Sequence, residues 1–281
     1  MTIQLTKVTH SQIVKHGYVL SLPGLIVGGR IGLGAPDIYS ESVSQLFPLG
    51  TKLEFSDGRL FRYAKWGATS TEGPYARMLV NANHQAEMTG YEDTEGFYGD
   101  LYTAVVAGAT YVDLEKATEY AENWFEDGFL VCFHDTTNSF FSQYRIAGNE
   151  KGNTTYCRVY IDNEGGLKGG ISATEGVSAY RSIYSNVRQG SFHPDYYPTV
   201  GIAQASSMTA DSFGWIQRRG LCWITPVAYF GDSANERAVQ PNQGADGTSQ
   251  VKNHLANQEV GYLSIATISG YGDTLVWLTI E

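Results

Sequence analysis

Charged residues are scarce in this chain. Asp, Glu, Lys and Arg make up 17% of its 281 residues, against 42% apolar residues. A chain of that balance can bury a core and is not a disordered polyelectrolyte. The basic sign is the rarer one. Lys and Arg number 19 and Asp and Glu 29, so the formal net charge is −10. The one adjacent basic pair is Arg218-Arg219. Coating nucleic acid needs a basic patch, so the balance disfavours that class. Long apolar runs are missing too. A helix that spans a bilayer needs roughly 18 consecutive apolar residues, and the run 129–133 suffices for one strand. The start, Met1-Thr2-Ile3-Gln4, lacks a basic segment followed by an apolar run, so no secretory signal is expected. Cysteine is rare. Cys132, Cys157 and Cys222 stand far apart with no C-x-x-C spacing, which argues against a zinc ribbon. Free buried thiols in a protein made in a reducing cytosol are expected, with one disulfide as the alternative.

Glycine and tyrosine are plentiful instead. There are 32 glycines, well above the roughly 7% of ordinary usage, and the 19 tyrosines equal all Lys and Arg together. This composition excludes a coiled coil, a long-helix bundle and a collagen-like rod. It points to many short strands joined by glycine turns, hence a mainly β fold.

Along the chain, residues 1–50 read as an extended, irregular arm punctuated by glycines and by Pro23 and Pro36. A short helix is conceivable at 37–47, with Ile38, Leu46 and Phe47 as its apolar residues. The segment 51–66 alternates, and Asp57-Gly58 supplies a hairpin turn. Strands are expected at 103–106, 110–114, 129–134, 142–147 and 155–161. Between them, a short helix is expected near 115–125, where Asp113 can cap and Ala117, Ala121 and Trp124 recur at helical spacing. Further strands are expected at 200–205, 214–217, 221–227, 260–266 and 274–280, a spacing that suits a small barrel or sandwich. Three segments follow from this reading: an arm over 1–50, a β-rich domain over 51–198 and a small β-barrel domain over 199–281. No repeat of fixed period is evident.

Candidate chemistry is thin. Phe230-Gly231-Asp232-Ser233 has the words of a Gly-Asp-Ser hydrolase, which needs a Ser nucleophile, a His base and an orienting carboxylate. The βαβ pattern such an enzyme needs does not follow it, so a loop tetrapeptide is the favoured reading. His134-Asp135 and His193-Pro194-Asp195 are His–carboxylate pairs, but a metal site needs several converging ligands and neighbours at i, i+1 on a strand point to opposite faces, so solvated loop or strand-end residues are the favoured reading. Glu119, Glu122, Glu126 and Asp127 could supply two carboxylates for glycoside cleavage. Any acidic amphipathic helix shows the same residues, so a solvated face is the favoured reading. The glycine-rich stretches 24–29 and 165–170 do not match a phosphate-binding loop. No catalytic residue, cofactor or metal ligand is therefore assigned.

Aromatics remain. Trp66, Tyr75, Tyr91, Phe97, Tyr98, Tyr180, Tyr184, Tyr196 and Tyr197 lie in loop-like segments. Aromatics enrich contact surfaces, and so many of them are expected to be buried in an assembly. The contact residues expected are Phe47, Tyr63, Trp66, Tyr75, Arg77, Tyr184 and Trp215.

Three passages occur in one order: 49–65 with its Asp57-Gly58 turn; Ala107-Gly108-Ala109-Thr110 through Ala121, then Asp127-Gly128-Phe129-Leu130 and Tyr144-Arg145-Ile146; and 213–220 with Val260-Gly261-Tyr262 and 271–280. Together they resemble structural proteins of tailed bacteriophages, of the head-decoration or auxiliary capsid kind. The resemblance implies a non-enzymatic, β-rich oligomer on the outer capsid surface, made in the bacterial host cytoplasm. It implies the major capsid protein and further copies of the chain, as a homotrimer, as partners. Direct nucleic-acid and membrane contact is not implied, nor is a cofactor. The function expected is a capsid decoration (cement) protein that stabilises the head. The alternatives are a host-adhesion or fibre module, whose aromatic loops at 67–100 and 171–198 bind cell-surface glycan, and an esterase or depolymerase.

Overall fold

A computed structural model describes residues 10–15, 18–23, 36–70, 77–81, 96–115, 119–133, 141–189, 198–226, 237–242, 248–251, 258–265 and 274–281. These residues form strands, turns and irregular loops, and the protein is mainly β. The chain divides into two compact units. Unit 1 comprises Met1–Ala86 with Tyr184–Glu281, and unit 2 is Glu87–Ile183, inserted between the two halves of unit 1. This differs from the consecutive blocks 1–50, 51–198 and 199–281. Turn signals read along a chain mark neighbours in sequence, whereas the pairing that closes unit 1 joins strands on either side of the insertion.

Unit 1 begins with β1 (His10–Lys15), β2 (Tyr18–Pro23), β3 (Lys52–Phe55), β4 (Leu60–Lys65) and β5 (Met78–Asn81). Unit 2 supplies β6 (Gly96–Gly99), β7 (Tyr111–Glu115), β8 (Phe129–Phe133), β9 (Phe141–Asn149), β10 (Tyr156–Ile161) and β11 (Val177–Tyr180). Unit 1 resumes with β12 (Val187–Gln189), β13 (Thr199–Ala203), β14 (Phe213–Trp223), β15 (Ala238–Pro241), β16 (Ser249–Val251), β17 (Gly261–Ile265) and β18 (Leu275–Thr279). The strand pairs are antiparallel. Unit 1 runs β1-β2-β3-β4-β14-β18-β17-β15-β16, and β5, with β12 on one side and β13 on the other, joins it through β14. Unit 2 runs β6-β11-β8-β9-β10-β7.

The expected hairpin at 51–66 is β3–β4. Gly58 takes the positive φ of its turn, 87°, and Asp57 Oδ1 accepts the Arg59 N–H at 3.0 Å. The segment read as an arm contributes sheet: β1 and β2 form a hairpin, and β2 pairs with β3 from Tyr18↔Phe55 to Ser21↔Lys52. The 37–47 region is not helical. It turns at Ile38 and Tyr39, and Ser42 exchanges both backbone hydrogen bonds with Phe213 at 2.8 Å.

The helix expected near 115–125 is also corrected. β7 continues through Glu115, residues 122–127 form turns, and no helix occurs among the described residues. Asn123 and Asp127 adopt left-handed φ values of 58° and 60°, which no α-helix contains. The buried Asn149 explains the outcome. Its Oδ1 accepts the Phe125 N–H at 2.8 Å and its Nδ2 donates to the Ala121 carbonyl at 2.9 Å. Both backbone groups are thereby taken from the helical ladder, while Phe125 goes into the core.

Glu41 fastens the 36–50 segment to the turn before β14. Its carboxylate accepts from Ser212 Oγ at 2.7 Å, Thr209 Oγ1 at 2.7 Å, Thr209 N at 2.8 Å and Ser207 Oγ at 3.2 Å. Burial pushes this carboxyl up, but the donors from Ser212, Thr209 and Ser207 outweigh it and hold it below the usual range. A carboxyl lowered in the folded state stabilises above its unfolded value, about 4.3, and that contribution disappears as pH falls through the folded value. Glu41→Gln should therefore flatten the stability profile below about pH 4.3, read as urea midpoints across a pH series. A slope identical to the parent's would contradict this role.

Candidate contact surfaces

The aromatic residues singled out in the sequence do come together, but inside unit 1. Tyr63 and Trp215 are buried with Leu53, Phe61 and Phe213. Half-buried Phe47 packs on Tyr63 at 5.3 Å and on Trp215 at 5.4 Å between ring centroids. Tyr63 and Trp215 stand 5.1 Å apart, and the Tyr63 hydroxyl accepts the Leu46 N–H at 3.2 Å. Trp66 is fully buried in a neighbouring core with Leu79, Val187 and Ile216. Tyr184 is half-buried. Its hydroxyl meets Arg218, which with Arg62 faces the Glu281 carboxylate. Arg77 is half-buried, and its carbonyl accepts the Ala203 N–H at 3.1 Å. Tyr75 lies outside the described residues. Tyr63, Trp66 and Trp215 thus serve the core of their own chain and are not free to meet a partner. Counting aromatics cannot separate inside from outside.

The chemical candidates do not assemble either. Gly231-Asp232-Ser233, His134-Asp135 and His193-Pro194-Asp195 lie outside the described residues. Glu119 and Glu122 are exposed. Glu126 is half-buried, and burial, with Asp127 beside it, pushes its carboxyl up. Asp127 itself pairs with Arg145. Among the described residues no three His, Cys, Asp or Glu side chains group as metal ligands, and no helix is long and apolar enough to cross a membrane. The three cysteines are free and buried. Burial pushes the Cys132 and Cys222 thiols up to about 12 and the Cys157 thiol up to about 11, so the reactive thiolate is suppressed.

Two sheet faces carry exposed apolar side chains. In unit 1 one face of β14, β18 and β17 is core: Cys222, Val276, Leu278 and Leu263 are buried with Val239 and Val260. The pleat sends the alternate residues outward. Leu221 pairs with Trp277, and Trp277 with Tyr262, forming a row across three strands. Trp223, Leu275 and Ile265 form the next row by the same pairings. Leu221, Trp277 and Tyr262 are 41%, 37% and 48% exposed. In unit 2 one sheet face holds Val112, Leu130, Cys132, Ile146, Val159 and Val177 in a core. Its other face shows Tyr98, Phe129, Phe133 and Phe141 to solvent. Nearer β7, Tyr111 packs on Tyr160, Arg158 lies over Tyr111 at 4.2 Å, and Tyr102 stacks on Tyr156 at 5.1 Å.

The units also differ in charge. Unit 2 holds 16 of the 29 acidic residues and 6 of the 19 basic ones, which leaves 13 of each in unit 1. The whole negative excess therefore belongs to unit 2.

Comparison with protein-family models, curated proteins and solved structures yields no match to this chain.

Proposed function

We propose that the chain is a structural protein that works by broad surface contact, as a decoration component on the outer surface of a virus head. The observation that carries the reading is the pair of apolar rows, Leu221–Trp277–Tyr262 and Trp223–Leu275–Ile265, on the solvent face of unit 1. Leu221, Trp277, Tyr262 and Ile265 are exposed beside half-buried Trp223 and Leu275, and adjoining exposed apolar side chains of this kind mark a contact site. Unit 1 has no net charge, so like-charge repulsion does not oppose its approach to a protein shell. The major capsid protein lattice is the partner, and further copies of the chain, as a homotrimer, complete the assembly. Repetition over the lattice turns modest single contacts into strong attachment through effective concentration. The negative excess suits the side of the shell away from packaged DNA, and the resemblance to head-decoration proteins supplies the viral context.

The test uses virus particles made without this chain. Such particles should release their DNA at a lower temperature, and added wild-type protein should restore the threshold. A Leu221→Ser/Trp277→Ser double variant, checked for folding by circular dichroism, should bind the particles at least ten-fold more weakly. Equal thermal survival with and without the protein, or equal attachment of the variant, sinks the proposal.

A further inference from the structure

We infer that the outer sheet face of unit 2 is a docking surface for a cationic, arginine-rich protein segment. The inference is independent of the role proposed for unit 1. It begins from the pleat. Val131 in β8 stands between Ser178 of β11 and Gln143 of β9, and Ser178 in turn faces Tyr98 of β6. Phe133 pairs with Phe141 beside that row. A Cβ built on Gly176 would lie 3.8 Å from the Phe133 ring and 3.9 Å from the Tyr98 ring, so this glycine sits between them without covering either. Tyr98 is 60% exposed and Phe141 68%. These side chains are open to a partner on the sheet surface.

The other half of the same sheet shows what such a surface binds. Arg158 lies over Tyr111 while its guanidinium donates to both oxygens of Asp113, at 2.8 and 3.0 Å. Arg145 stands opposite Phe129 in register and pairs with Asp127. An aromatic face and a carboxylate thus hold Arg158, and a carboxylate holds Arg145. Among the described residues no cation lies over Tyr98, Phe133 or Phe141. The unit around them carries 16 acidic and 6 basic residues, with Asp100, Glu115, Glu119, Glu122, Asp162 and Glu164 exposed. Such an excess attracts a positive partner over a Debye length of about 10 Å at 0.1 M salt, and guanidinium groups stack on aromatic faces at short range. A neutral glycan would use the rings but gain nothing from the charge. The partition of charge therefore selects the cation.

The experiment measures anisotropy of labelled octa-arginine, octa-lysine and octa-glutamate against the intact chain. Octa-arginine should bind, more tightly than octa-lysine, and should weaken at least ten-fold between about 50 and 300 mM salt; octa-glutamate should not bind. Phe133→Ser/Phe141→Ser leaves the net charge unchanged and should weaken octa-arginine binding at least five-fold. Tyr98→Ser, made separately, guards against a folding defect in the double variant. Equal binding by all variants would mean diffuse attraction to an acidic protein and would overturn the site. Absence of octa-arginine binding at low salt would overturn it as well. A neutral oligosaccharide that binds wild type independently of salt and fails with the variants would assign the face to glycan instead. The Leu221→Ser/Trp277→Ser variant should retain octa-arginine binding, so failure of the virion reading leaves this result distinct.

Discussion

Trp66→Ala is expected to destabilise unit 1 by about 3–5 kcal/mol, the range for deleting a large buried aromatic. The indole is fully buried, and its backbone is equally committed. Trp66 N donates to the Ser212 carbonyl at 2.8 Å, Asp211 N donates to the Trp66 carbonyl at 3.0 Å, and Trp66 bridges Val187. The ring lies against the bare backbone of β14. A Cβ at Gly214 would stand 2.5 Å from Trp66 Cζ2, so no side chain fits there while the indole is present. Gly214→Ala alone should therefore cost about 1–3 kcal/mol as overpacking. Combined with Trp66→Ala, part of that penalty should vanish, because the methyl enters the space the ring has left. Urea denaturation of the four proteins gives the coupling directly. Simple additivity of the two changes would show that Gly214 and the indole do not constrain one another.

The second large effect is expected at Asn149. Asn149→Leu keeps roughly the volume and removes the side-chain hydrogen bonds from Asn149 to the 121–127 turn. The buried Phe125 N–H loses its partner, while the Ala121 carbonyl keeps the Trp124 N–H at 3.2 Å. An unsatisfied buried backbone group costs about 1–3 kcal/mol, and a loss of that size is expected in unit 2. Hydrogen exchange at the Phe125 amide is the specific readout. It should accelerate far more than amides in the centre of β9 and β10. Unchanged protection at Phe125 would mean that the turn is held by something other than Asn149.

The same residue explains what the sequence could and could not convey. The strands of unit 2 follow from alternation: β10 reads Tyr156-Cys157-Arg158-Val159-Tyr160-Ile161, and its even positions are outward. Hairpin β3–β4 follows from Asp57-Gly58. Helical spacing at Ala117, Ala121 and Trp124 pointed the wrong way, because the deciding partner lies 24 residues beyond Phe125 and has no local signature. The pairing of β4 with β14 is equally silent, since nothing in either strand names the other. The contact surface was the least legible part. Leu221-Cys222-Trp223 and Leu275-Val276-Trp277-Leu278 are apolar at every position, so their pleat conceals which side is solvated. Tyr63 and Trp215, conspicuous by type, turned out to be core.

The insertion has a consequence for biosynthesis. β4 ends at Lys65 and its partner β14 begins at Phe213. At roughly 5–20 residues per second, a ribosome needs about 7–30 s to cover that distance. During this interval the edge of β4 that pairs with β14 has no mate, while all six strands of the inserted unit emerge and can close their own sheet. The nascent polypeptide thus passes through a stage in which its acidic unit is finished and its neutral unit is an open template. A chaperone that shields strand edges would find its substrate at that stage.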